Sequence, residues 1–143
     1  MVMSSEKMNV VHMSGKRKKS IARATLRPGS GIIRINNYPL DSYSTEVVQL
    51  KIKEAIVVAS DYVDLSKLDI SVVSQGGGVM GQADAIASAI ARGLVEYSKS
   101  DELLARYHQY NRTLIAGDSR RTEPHKPSQS SKGPRHKRQK SYR

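Results

Sequence analysis

The chain is expected to fold as an α+β domain followed by a separate basic tail. Three observations predict this. Two stretches alternate apolar and polar residues with period two, and two longer ones carry apolar stripes at helical spacing. The last 26 residues hold almost no apolar side chain. One sheet, antiparallel or mixed, with helices packed on one face accommodates the order of elements read along the chain.

β structure is expected from Met8 to Ile35. In Ser20–Arg27, Ala22, Ala24 and Leu26 fall on one face and Arg23, Thr25 and Arg27 on the other. Gly15-Lys16-Arg17-Lys18-Lys19 interrupts the earlier apolar stretch Val10–Met13 and reads as a basic hairpin tip. Pro28-Gly29-Ser30-Gly31 is a turn, after which Ile33 and Ile35 resume the alternation around Arg34. The opening is thus two or three antiparallel strands with one arginine-bearing face.

A helix is predicted over roughly Thr45–Ser60, capped by Asp41 or Ser44, with Val48, Ile52, Ala55, Ile56 and Ala59 as its apolar stripe. Leu68, Ile70 and Val72 alternate with Asp69 and Ser71, a strand ending at Gly76-Gly77-Gly78. A second helix follows, burying Ala83, Ile86, Ala87, Ile90, Leu94 and Tyr97 and turning Gln82, Asp84, Ser88, Arg92 and Glu96 outward. A short third helix spans Asp101 to about Tyr110. Residues 1–117 form the globular domain. Residues 118–143 have Tyr142 as their one apolar side chain and hold three of the five prolines. Such a segment cannot offset an ordering cost of about 1–2 kcal/mol per residue by burial, so it is expected to be disordered when free.

Charge narrows the function. The net +11 divides into +7 over residues 1–40, −5 over 41–105, +2 over 106–117 and +7 over 118–143. Basic ends around an acidic middle point to a polyanion partner. No apolar run approaches the ~18 residues of a membrane span, and Lys7 precedes only the short apolar pair Val10 and Val11, so neither a membrane nor a secretory leader is expected. With no cysteine and four scattered histidines, no metal site is expected. A cytoplasmic location follows as the expectation.

Gly76, Gly78 and Gly81 satisfy G-x-G-x-x-G between a strand and a helix. No second parallel strand follows to carry a ribose-binding acid, and no Gly-Lys-Ser/Thr is present, so no cofactor is expected. A tight strand-to-helix turn is one reading. In another, Gly76, Gly77 and Gly78 let an RNA phosphate approach the helix N-terminus. No catalytic set assembles, and the carboxylate pairs Asp61/Asp64 and Asp101/Glu102 read as loop solvation and helix-start charges. No enzyme activity is expected.

The informative residues are basic. Lys16, Arg17, Lys18 and Lys19 continue into Arg23 and Arg27 at period two, which gives a flat basic surface where a lone charge run would be only a solvated face. The tail adds Arg120, Arg121, Lys126, Lys132, Arg135, Lys137, Arg138, Lys140 and Arg143. Fully extended, it spans at most roughly 90 Å. A free nucleic-acid-binding module, such as an RNA chaperone, could use the same surfaces.

Longer motifs decide among these readings. Gly15-Lys-Arg-Lys-Lys-Ser-Ile-Ala-Arg-Ala-Thr-Leu-Arg-Pro-Gly-Ser-Gly31 resembles the first signature of the small-subunit ribosomal protein nine family. Gly76-Gly-Gly-Val-Met-Gly-Gln-Ala-Asp-Ala-Ile, with Ile90-Ala-Arg-Gly-Leu94, resembles the second. Asp118-Ser-Arg-Arg-Thr-Glu123 and Lys140-Ser-Tyr-Arg143 resemble the motifs at the root and end of that family's tail. The Glu-Pro-His after Thr122 and the Ser-Tyr-Arg ending are similar to its archaeal and eukaryotic branch. The resemblance implies a ribosomal S-five domain-two-like fold containing a left-handed βαβ crossover, seated on 16S rRNA in the head of the small subunit beside other head proteins. It implies rRNA contacts at Arg17, Lys18 and Arg23, with Gln82 and Arg92 matching the motif in roles that are structural. It further implies a tail threading toward the peptidyl site, where Arg143, helped by Lys140, meets the tRNA.

Overall fold

A computed structural model describes residues 9–125 and 134–135. The strands are β1 (Val11–Arg17), β2 (Ser20–Pro28), β3 (Ile33–Ile35), β4 (Tyr38–Pro39) and β5 (Leu68–Gln75). The helices are α1 (Glu46–Ala59), α2 (Val79–Ser98), α3 (Asp101–Tyr110) and the single turn α4 (Thr113–Ala116). The five strands form one mixed sheet in the order β1-β2-β5-β3-β4. β1 and β2 form the expected antiparallel hairpin, and β5 pairs antiparallel with β2. The expectation for β3 is corrected. It lies next to β5, not β2, and runs parallel to it. Parallel neighbours need a crossover, and α1 supplies it.

Alternation sets which face is buried. Ala22, Ala24 and Leu26 of β2 and Leu68, Ile70 and Val72 of β5 are all 0–1% exposed, whereas Arg23, Arg27 and Val73 between them are exposed. The buried face meets α2, which lies along β1, β2 and β5; α1 and α4 pack on α2 in turn. Contact between β1 and α2 is backbone-close. A Cβ on Gly15 would stand 2.2 Å from the Ala85 carbonyl oxygen, so only glycine fits.

All five predicted stripe residues of α1 are buried. Its cap differs from expectation: Thr45 occupies the position, with no side-chain bond to the helix. Asp41 instead belongs to a 3-10 turn, Leu40–Ser42, and binds α1 from the side through Lys53 Nζ at 2.8 Å. In α2 the outward assignment of Ser88 is also corrected. Ser88 is 4% exposed, and its hydroxyl donates to the Leu114 carbonyl at 2.9 Å. The helix is enclosed by the sheet, α1 and α4, so a one-sided stripe understates its burial. α3 occupies its predicted span, with the Ser100 side chain accepting from the Leu103 amide. Tyr107, fully buried, donates its hydroxyl to the Ala55 carbonyl and ties α3 to α1. Burial pushes the Tyr107 phenol well above its ordinary 10.0. Among the described residues no helix is long and apolar enough to cross a membrane.

Candidate nucleic-acid interface

The face of the sheet away from the helices is uncovered. Register places Arg23 between Ser14 and Val73, Thr25 between His12 and Ser71, Lys16 opposite Ile21, and Arg27 opposite Asp69. Arg34, paired with Ser71 across the β3–β5 ladder, joins the same face. The face thus presents Lys16, Arg23, Arg27 and Arg34 against one carboxylate. Among the described residues none of these four cations has a carboxylate oxygen within salt-bridge distance. Asp69 is engaged elsewhere, because its Oδ1 accepts from the amides of Ser30, Gly31 and Ile32 at 2.8, 3.0 and 3.0 Å. Those amides, Ile32 first, and the Arg27 charge hold its carboxyl below the ordinary 3.8. Arg34 was not among the sequence candidates as a site residue. Its place between Ile33 and Ile35 carried the signal, but only pairing with β5 puts it beside Arg23 and Arg27.

The hairpin tip is narrower than Gly15–Lys19. Gly15, Lys16 and Arg17 lie within β1, and Arg17 pairs with Ser20, leaving Lys18 and Lys19 as the turn. Lys18 adopts φ 51°, in the left-handed region, and both lysines are exposed. The tip sits against the glycine loop. Gly76 and Gly77 have φ of 77° and 66°, and a Cβ on Gly77 would fall 2.1 Å from Ser20 Oγ. That hydroxyl donates to the Gly76 carbonyl at 3.0 Å, as does Gln82 Nε2 at the same distance. Close approach to the hairpin therefore explains Gly76 and Gly77. Gly78 is the cap residue of α2; it offers no side-chain bond to the first-turn amides, and nothing lies within 4 Å of where its Cβ would be. Lys18, Lys19, the glycine loop and Thr122 line one depression of about 630 Å³.

Arg17 is arranged differently from its neighbours. Its guanidinium meets Asp118 Oδ1 at 2.8 Å and Asp84 Oδ2 at 3.7 Å, and its side chain is only 13% exposed. Lys51 Nζ completes Asp84 at 2.7 Å, and Arg120 holds the other Asp118 oxygen at 2.7 Å. Arg17 Nη1 also reaches the Arg120 carbonyl at 3.4 Å. These contacts hold residues 118–120 beside the hairpin end. Hydrogen bonds from the Arg120 side chain and amide, together with the Arg17 charge, hold the Asp118 carboxyl far below its usual range. Arg92, on α2, donates to the carbonyls of Ile115 and Ser14 at 2.8 and 3.1 Å. Gln82 bonds Gly76 and accepts from the Tyr43 hydroxyl at 3.3 Å. The sequence had turned Arg92 and Gln82 outward; both tie segments of the fold together.

Arg121 is exposed, and Arg135 Nε donates to Glu123 at 2.5 Å. Lys126, Lys132, Lys137, Arg138, Lys140 and Arg143 lie outside the described residues. Among the described residues no cluster of His, Asp or Glu could hold a metal ion.

The family model for ribosomal protein S9/S16 matches residues 15–143. Small ribosomal subunit protein uS9 of the archaeon Methanococcus maripaludis, strains C7 and C5, is 48% identical over 136 residues, covering 95% of this chain and 100% of each relative. The protein of the same name from Methanococcus vannielii is 46% identical over the same shares of both chains. Archaeal relatives agree with the branch that the tail motifs resemble.

Proposed function

The chain belongs to the ribosomal protein S9/S16 family, and from that premise we propose that it is an rRNA-bound structural component of the small ribosomal subunit, working in the cytoplasm. The family is ribosomal and not enzymatic. In this reading the globular domain docks on 16S rRNA through the open sheet face and the hairpin tip. Lys16, Lys18, Lys19, Arg23 and Arg27, with Arg34, contact phosphates there. Gly78, with open space where a side chain would stand, lets one further phosphate approach the start of α2, while Gly76 and Gly77 pack against the hairpin. Residues 118–143 act as an extended tail that takes its shape along RNA, through Arg120, Arg121, Lys126, Lys132, Arg135, Lys137 and Arg138. Lys140 and Arg143 reach the peptidyl-site tRNA.

The observation that carries this reading is the separation of two kinds of cation. Arg17 is neutralised inside the protein, whereas Lys16, Lys18, Lys19, Arg23, Arg27 and Arg34 are exposed and make no salt bridge among the described residues. A protein keeps such a surface at a cost in self-repulsion, and a phosphate backbone removes that cost. Arginine forks on a rigid sheet suit bidentate phosphate contacts, and the hairpin lysines act as point charges. With no Phe or Trp in the chain, base stacking contributes little.

The test is sedimentation of the tagged full-length chain with small subunits, combined with binding to head-domain rRNA across salt concentrations. Co-sedimentation and a steep loss of rRNA affinity with rising salt are expected. Recovery only in ribosome-free fractions overturns the proposal. Equal affinity for unrelated RNAs points to a free RNA chaperone instead.

A further inference from the structure

The helical side of the molecule carries a surface of opposite character. α1 buries Val48, Ile52, Ala55, Ile56 and Ala59, and 3.6 residues per turn places Glu46, Val47, Leu50, Glu54 and Val57 on the other side. Val47, Leu50 and Val57 are 62%, 59% and 66% exposed, so three large aliphatic groups stand in solvent over about 15 Å of one helix. Single exposed apolar residues are ordinary, but a row on one face marks an interaction site.

Charge identifies the occupant. Glu46 stands exposed at the start of the row and Asp61 just past its end, and neither makes a salt bridge among the described residues, whereas Glu54 is half-buried beside the Tyr110 hydroxyl. The two lysines that flank the row are already taken, Lys51 by Asp84 at 2.7 Å and Lys53 by Asp41 at 2.8 Å. Exposed carboxylates at both ends of a row of bare aliphatic side chains, with the flanking ammonium groups already neutralised, disfavour phosphate. A second copy meeting this face through a two-fold axis would set carboxylate against carboxylate.

We propose that the outward face of α1 is a protein-docking surface, whose occupant is a lysine- and arginine-rich segment of another small-subunit protein presenting one or two aliphatic side chains. The inference rests on the chain's assembly into the small subunit. Apolar contact at Leu50 and Val57 supplies the burial, and the carboxylates select a basic partner and repel RNA.

Photo-crosslinking tests it. Benzoylphenylalanine replaces Leu50, or in a second protein Val57, in the full-length chain, and assembled small subunits are purified and irradiated. The expected product joins this chain to a different subunit protein through a peptide of net positive charge. Combining Glu46→Lys with Asp61→Lys should lower the yield per incorporated chain roughly tenfold or more, since like charges then oppose the partner. An adduct with rRNA, with this same chain or with an acidic peptide overturns the docking proposal. So does an absence of adduct, or a yield indifferent to the charge reversal. Failure of the unsubstituted chain to enter subunits overturns the ribosomal reading beneath it, and sedimentation before irradiation separates the two.

Discussion

At the scale of single residues, the tightest constraint is Gly15. Any side chain there meets the Ala85 carbonyl, which belongs to a helix backbone and cannot step aside. Gly15→Ala is expected to cost about 1–3 kcal/mol, read as a lower denaturation midpoint with an unchanged slope. Asp69 predicts a pH effect. Its folded pKa lies below the ordinary 3.8, so the fold favours the carboxylate. The resulting stabilisation is complete above that ordinary value and is lost as pH falls through the lower folded one. Asp69→Asn should therefore destabilise the protein at pH 7, and the gap should narrow in denaturation measured near pH 3. Period-two alternation shows that Asp69 faces away from the core. It does not show the three amides it holds, because they lie 37–39 residues earlier in a loop whose path depends on β3 joining β5.

Among the elements, α1 and β2 are nearly transparent in the sequence, because each has one buried and one open face and a clean period follows. α2 is less so, since neighbours enclose it and Ser88 points inward. The latch at the hairpin end is not legible at all. Arg17 reads as one more cation in a basic run until the fold brings Asp84 and Asp118 to it from 67 and 101 positions away. Arg17→Ala is expected to free the start of the tail, with faster amide exchange at residues 118–121 and little change in the thermal midpoint. Unaltered exchange there would mean that Arg120 and Asp118 hold the segment by themselves. The α1–α3 seam offers a second check. Tyr107→Phe removes the buried hydroxyl bond to Ala55 and should cost about 1 kcal/mol in equilibrium unfolding.

For the whole molecule, the basic surfaces should act additively toward RNA. Each phosphate contact removed should lower the slope of log affinity against log salt by about 1, so Lys18→Ala with Lys19→Ala should lower it by about 2. Deleting residues 140–143 should leave subunit assembly largely intact and weaken peptidyl-site tRNA binding; collapse of assembly would make those residues structural. The exposed cations of the sheet and the exposed carboxylates of Glu46 and Asp61 at the two ends of α1 have one more consequence, and it concerns time. They stand on opposite sides of a small rigid body, which makes the molecule a dipole. If it docks on rRNA through the sheet as proposed, the field of the folding RNA should turn it before contact so that the sheet leads and fewer encounters are wasted on the wrong orientation. Salt should then slow its capture by rRNA even where the final complex is stable.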